Sequence, residues 1–124
     1  MIEPIPDMPS GTLGFRLADG LTDSDYADVL APGLRDAAAT GEARLLMVAA
    51  KGFDLGSLKS RFEEARADPD LNFGHRKDWR RVAIVADANF VLRRSFPVWS
   101  RVIPVDVKLF GLGDEAAARS WLTG

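Results

Sequence analysis

The sequence predicts an α/β protein with a largely parallel sheet, and three observations carry that expectation. Two short apolar runs, Arg44 to Ala50 and Arg81 to Ala86, lack polar alternation, as strands covered on both faces do. After Gly20, strand-like segments alternate with segments of helical period, the mark of successive βα units. The chain of 124 residues is long enough for one core and too short for two, so residues 1–124 are read as a single domain.

Each element has its own local reason. Ile2 and Ile5 lie among Pro4, Pro6 and Pro9, which cannot donate to an inner ladder, so a strand here is a peripheral edge strand. From Thr12 to Leu17, Leu13, Phe15 and Leu17 alternate with Thr12, Gly14 and Arg16, a period of two with one buried face. Asp19-Gly20 supplies a turn, and Thr22 is placed to cap a helix whose first turn holds Asp23 and Asp25. Tyr26, Val29, Leu30 and Leu34 form that helix's inner stripe, Pro32 is placed to bend it, and Thr40-Gly41 closes it.

Asp54 can cap a further helix running to about Ala67, with Leu55, Leu58 and Phe62 inward, before Asp68-Pro69-Asp70 breaks it. Leu71 to Trp79 is ambiguous, with a short second helix as its reading. Asn89 to Trp99 has helical period interrupted by Pro97. Val105, Val107 and Leu109 alternate with Asp106 and Lys108 in a last strand, followed by Gly111-Leu112-Gly113 and a helix from Asp114 to Leu122.

Composition excludes several function classes. A formal charge of −2 draws the chain to neither nucleic acid nor anionic lipid as a whole, so no nucleic-acid partner is expected. With no cysteine and one histidine, neither a disulfide nor a metal site is expected. The longest apolar run, Leu45 to Ala50, is far short of the roughly 18–20 residues of a membrane-spanning helix. The start Met1-Ile2-Glu3-Pro4 has no secretion-signal character, and the expected compartment is the cytoplasm.

Candidate chemistry is sparse. His75 has Asp70 and Asp78 within reach in sequence, yet the chain has no cysteine and no serine in a nucleophile-elbow context, so His75 reads as structural. Gly111-Leu112-Gly113-Asp114 lacks the third glycine of a phosphate loop and runs into an acid, so it reads as a turn. Arg76, Lys77, Arg80 and Arg81 make a basic cluster that reads as a solvated rim. The segment from Phe90 to Ile103 is more informative. At about 100° per residue it gathers Val91, Leu92, Phe96, Val98, Trp99, Val102 and Ile103 on one arc and Arg93, Arg94, Ser100 and Arg101 on the other, with Ser95 on the apolar side and Phe90 on the polar side as exceptions. Such a segment suits a core helix with a basic outer face, or a flap that covers an apolar pocket and rests on a membrane surface.

Leu21-Thr22-Asp23-x-Asp25-Tyr26, Arg81 to Asp87, Val105 to Phe110 and Glu115-Ala116 to Trp121-Leu122 together resemble the SpoIIAA-like family, relatives of the STAS domain of anti-sigma-factor antagonists. The resemblance covers almost the whole chain. It implies a sheet of four or five strands wound by successive βα units, helices mainly on one face and a peripheral first strand. STAS antagonists dock a protein partner and are switched by phosphorylation in an Asp-Ser-Ser-Gly stretch after the third strand. The corresponding residues here are Asp54-Leu55-Gly56-Ser57, in which only Asp54 matches. The branch is also similar in fold to lipid-carrying CRAL-TRIO domains, which implies an apolar ligand or membrane contact.

These readings combine into a non-enzymatic binding protein without a cofactor. Its expected partner is an apolar small molecule or lipid under a flap that includes Phe62, Val91, Phe96 and Trp99. Arg93, Arg94 and Arg101 would give transient membrane-surface contact. The alternative is a regulator that docks a protein through Asp54, Ser57 and Leu58. Homodimerisation is left open.

Overall fold

The computed structural model describes residues 1–8, 12–39, 43–53, 60, 61, 63, 64, 67, 79–87 and 106–123. Among these residues five strands form one sheet in chain order: β1 (Ile2–Pro4), β2 (Thr12–Leu17), β3 (Ala43–Ala49), β4 (Trp79–Ala86) and β5 (Asp106–Gly111). β1 runs antiparallel to β2 at the sheet's edge, and β2 to β5 are parallel. The four main strands fall within two residues of the segments that hydrophobic patterning marks. Residue 105, the expected start of the last strand, lies outside the described residues.

The parallel strands explain their own composition. Leu45, Met47, Val82 and Ile84 face one cluster, while Leu46, Val48, Ala83 and Val85 face another, so the unbroken apolar runs serve two cores. The first core packs under the first helical stretch, which supplies the fully buried Leu30 and Leu34 with Tyr26 and Val29 packed beside them. The second packs under the terminal helix Glu115–Thr123, through Ala118 and Leu122.

The first helical stretch, which links β2 to β3, covers the face of the first core, and the terminal helix, which follows β5, covers the other.

The first helical stretch begins at a reciprocal cap. Thr22 Oγ1 accepts from Asp25 N at 3.1 Å and Asp25 Oδ2 accepts from Thr22 N at 3.1 Å. After Asp23–Asp25 the turn widens over Tyr26–Leu30, where Ala31 N donates to Tyr26 O, and α-helix resumes over Ala31–Ala38. Pro32 explains the widening. It has no N–H for the carbonyl of Asp28 and its ring crowds that carbonyl, so one wide turn before it absorbs the mismatch where a kink was expected.

β2 is covered on both faces. Phe15 and Leu17 enter the first core, and the N-terminal segment lies over Gly14, with Ile5 N donating to Gly14 O at 2.8 Å. A Cβ on Gly14 would stand 2.9 Å from Met8 Cγ and 3.2 Å from Ile5 Cβ, so this close approach requires glycine. The described residues between 60 and 67 are helical. Arg61 fastens them to the first helical stretch through Asp23 Oδ1 at 2.6 Å, and its guanidinium lies 5.9 Å from the Tyr26 ring centroid.

Candidate functional site

Clefts open at the carboxyl ends of the parallel strands, where the chain leaves the sheet in loops. Here β2 and β3 end side by side, Leu17 opposite Ala49, and Ala50 N donates to Leu17 O at 2.8 Å. The small residues Ala18, Ala49 and Ala50 leave space at this edge.

The first cleft, about 180 Å³, is lined by Leu17, Ala18, Val48, Ala49 and Ala50, with Leu112 entering from the turn before the terminal helix. Met1, Glu3 and Arg16 form its rim. Met1 is 55% exposed and Leu112 39%, and these are the exposed large apolar side chains among the described residues. Two such side chains far apart in sequence therefore border one cleft.

The rim is held by ions. Arg16 Nη1 and Nη2 donate to the Glu115 carboxylate at 3.0 and 3.4 Å, and Arg119 Nη2 lies 3.2 Å from the same group. Hydrogen bonding from Arg16 holds the Glu115 carboxyl below its ordinary value, and the reciprocal bond raises Arg16. The Met1 ammonium donates to Ala18 O and Gly20 O, each at 2.8 Å, and lies 3.3 Å from Asp25 Oδ2. The Asp25 carboxyl is lowered, chiefly by the Thr22 backbone N–H and also by that ammonium.

A second cleft of about 290 Å³ lies between the ends of β3 and β4, bordered by Lys51, Gly52, Phe53, Ala86 and Asp87. Phe53 N donates to Ala50 O at 3.0 Å across a turn whose third residue, Gly52, takes φ 85°, the left-handed region that suits glycine. The chain leaves this cleft at residue 53 towards the Asp54 to Leu58 corner and at residue 87 towards the 88–103 segment. Both segments singled out by sequence thus start from one end of the sheet.

The candidate residues themselves, Asp54, Ser57, Leu58, Phe62, Val91, Arg93, Arg94, Phe96, Trp99 and Arg101, lie outside the described residues, as does His75. The sequence did not point to the Met1–Leu112 cleft. Its one legible signal is the alanine at each strand end, which becomes a cleft wall only when strands are placed side by side. Arg81, expected on a solvated rim, is instead half-buried and donates through Nη1 to Trp121 O. Its carbon Cζ lies 5.0 Å from the Trp121 ring centroid.

Among the described residues, no group of three or more His, Asp or Glu side chains is arranged to hold a metal, and no helix is long and apolar enough to cross a membrane. The arrangement offers recessed apolar surface with a charged rim.

Comparison with known proteins agrees with this architecture. No curated protein matches the chain. A crystal structure of an uncharacterized protein of the DUF3478 family from Shewanella loihica PV-4, described as having a SpoIIAA-like fold, is similar at 25% identity and a TM-score of 0.63. The match covers 98% of this chain and 93% of that one. The SpoIIAA-like family model matches residues 12–123, from the start of β2 to the end of the terminal helix, and the chain belongs to the SpoIIAA-like family.

Proposed function

We propose that this SpoIIAA-like protein is a non-catalytic binding module whose carboxyl-edge clefts seat an apolar group. The observation that carries the reading is the convergence of exposed Met1 and Leu112 on one cleft lined by Leu17, Val48 and alanines. Water contact with those side chains is unfavourable, and an apolar occupant relieves it. The volume bounds the occupant. At about 180 Å³ the first cleft is below the range of roughly 300–1,000 Å³ found for drug-sized ligands. It suits one short apolar chain end or ring.

Native mass spectrometry of the protein purified gently from its own host tests the reading. The expected result is a bound apolar molecule that is lost in Leu112→Glu; equal occupancy in both, or none in either, overturns it.

A second reading is favoured by the same small volume, which also matches a single anchoring side chain from a protein partner. In this reading Asp54, Ser57 and Leu58, which follow Phe53 in sequence, join the docking face. Co-purification from native extract then weakens in Leu112→Glu, and Ser57→Asp alters it while leaving apolar-ligand occupancy unchanged. The flap reading of residues 88–103 is separable from both. Arg93, Arg94 and Arg101 would add about 1 kcal/mol each near anionic lipid, giving weak, salt-sensitive sedimentation with vesicles that Arg93→Glu/Arg94→Glu abolishes.

A further inference from the structure

The opposite, amino edge of the sheet carries an arrangement that the apolar clefts do not use. Thr12 pairs with Arg44, and Arg44 with Arg81, across β2, β3 and β4. By the alternation of side chains, all three project from the face that the terminal helix covers, where Leu46, Val48, Ala83 and Val85 also lie. Neighbouring parallel strands are about 4.8 Å apart, so two arginines stand directly opposite each other on one face, a pairing that repels. An irregularity in the β3–β4 register between Ala43 and Arg44 sets that juxtaposition, with Ala43 opposite Trp79 and Arg44 opposite Arg81.

Two polar atoms in this row are unmet. Among the described residues, the buried side-chain nitrogen and oxygen atoms without a hydrogen-bond partner are Thr12 Oγ1 and Arg44 Nε. Adjacent orphaned donors beside a like-charge pair are costly unless an acceptor arrives. Arg81 is aimed by its bond to Trp121 O and its place over the Trp121 ring, and a guanidinium so held keeps further N–H donors. Lys108 projects from the same face of β5, its Nζ 5.2 Å from the Phe110 ring centroid. Asp106, the residue opposite Arg81 on β5, is the acid of the row.

We propose that Thr12, Arg44 and Arg81 form a binding site for a phosphate-type oxyanion. Two guanidinium groups and a hydroxyl on three successive strands call for an anion with several acceptor oxygens, whereas a carboxylate is satisfied by a single bidentate arginine. The site also gives a role to Arg81, the described half-buried member of the basic cluster between Arg76 and Arg81.

NMR of arginine Nε–H signals in the full chain tests it, with inorganic phosphate as the probe, sodium chloride at matched ionic strength as the control, and glycerol phosphate as the ester. The expected result is a saturable shift of the Arg44 Nε–H signal, identified by its absence in Arg44→Lys. Affinity falls roughly tenfold or more in Arg44→Gln and several-fold in Thr12→Val. Tighter binding of glycerol phosphate marks an ester as the ligand, and tighter binding of phosphate marks the free ion; either supports the site. No saturable shift, a shift that chloride reproduces, or unchanged affinity in Thr12→Val overturns it. Thr12→Val is nearly isosteric, so the decision stands even where Arg44→Gln does not fold.

Discussion

Replacing Gly14 with alanine tests how closely the N-terminal segment is laid on β2. The added Cβ would meet Met8 Cγ at 2.9 Å, Met8 Sδ at 3.0 Å and Ile5 Cβ at 3.2 Å. Met8 can swing aside, being partly exposed at the end of a flexible chain. Ile5 cannot, because it is 7% exposed in the second core and its N–H is committed to Gly14 O at 2.8 Å. Overpacking of this kind costs about 1–3 kcal/mol. Removing the glycine's unfolded-state freedom returns about 0.5–1 kcal/mol. The expected net loss is about 0.5–2 kcal/mol, and Gly14→Val should lose more. Urea unfolding followed by far-UV circular dichroism measures it, with the midpoint falling at unchanged slope. In a double-mutant cycle, Met8→Ala should make Gly14→Ala less costly by at least about 0.5 kcal/mol, since the two sites touch. A neutral or stabilising Gly14→Ala, or strict additivity with Met8→Ala, would refute the steric reasoning.

Three further outcomes are expected. Leu34→Ala, in a fully buried position under the first helical stretch, should cost about 2–5 kcal/mol in the same unfolding assay; a loss below 1 kcal/mol would mean that the core closes over the gap. Thr22→Ala removes the acceptor for Asp25 N and should cost about 0.5–2 kcal/mol, whereas Thr22→Ser should cost far less. Glu115 has its carboxyl lowered in the folded state, so its contribution is present above the unfolded glutamate value of about 4.3 and lost as pH falls through the lower folded value. Urea midpoints measured from pH 6 down to pH 3 should therefore fall less steeply in Glu115→Gln than in the wild type, and parallel curves would show that the Arg16 pairing adds no stability.

The sheet was legible because its strands obey local rules. Arg44 to Ala50 and Arg81 to Ala86 read as doubly covered strands from composition alone, and Thr22 with Asp25 read as a helix start. The edge position of β1 followed from its prolines. The wide turn at Tyr26–Leu30 was signalled by Pro32, but whether a helix answers a proline with a kink or a wide turn depends on the core beneath it. Sites were less legible. The Met1–Leu112 cleft joins the two ends of the chain, and the Thr12–Arg44–Arg81 row exists only once three strands are in register. Neither has a sequence motif, because spacing along one strand says nothing of the residue beside it on the next. Periodicity also could not reveal that Gly14 has a neighbour on the strand's second face, since a glycine in a polar alternation looks merely permissive.

The identity of strand order and chain order bears on how the molecule forms. From β2 onward each new parallel strand pairs with the one made just before it, so the sheet can lengthen by one unit at a time as the chain leaves the ribosome. At every stage the growing rim is the docking place for the next segment, and no strand has to be inserted between two already paired. The span to be closed at each step is only the stretch between consecutive strands, which keeps the loop-closure cost low for a parallel sheet, an architecture that otherwise folds slowly. Only the terminal helix waits for completion, since the second core that it covers draws on residues from β3, β4 and β5. Until the helix docks, that apolar face is open to solvent, and a nascent chain stalled before Glu115 is the species most exposed to aggregation.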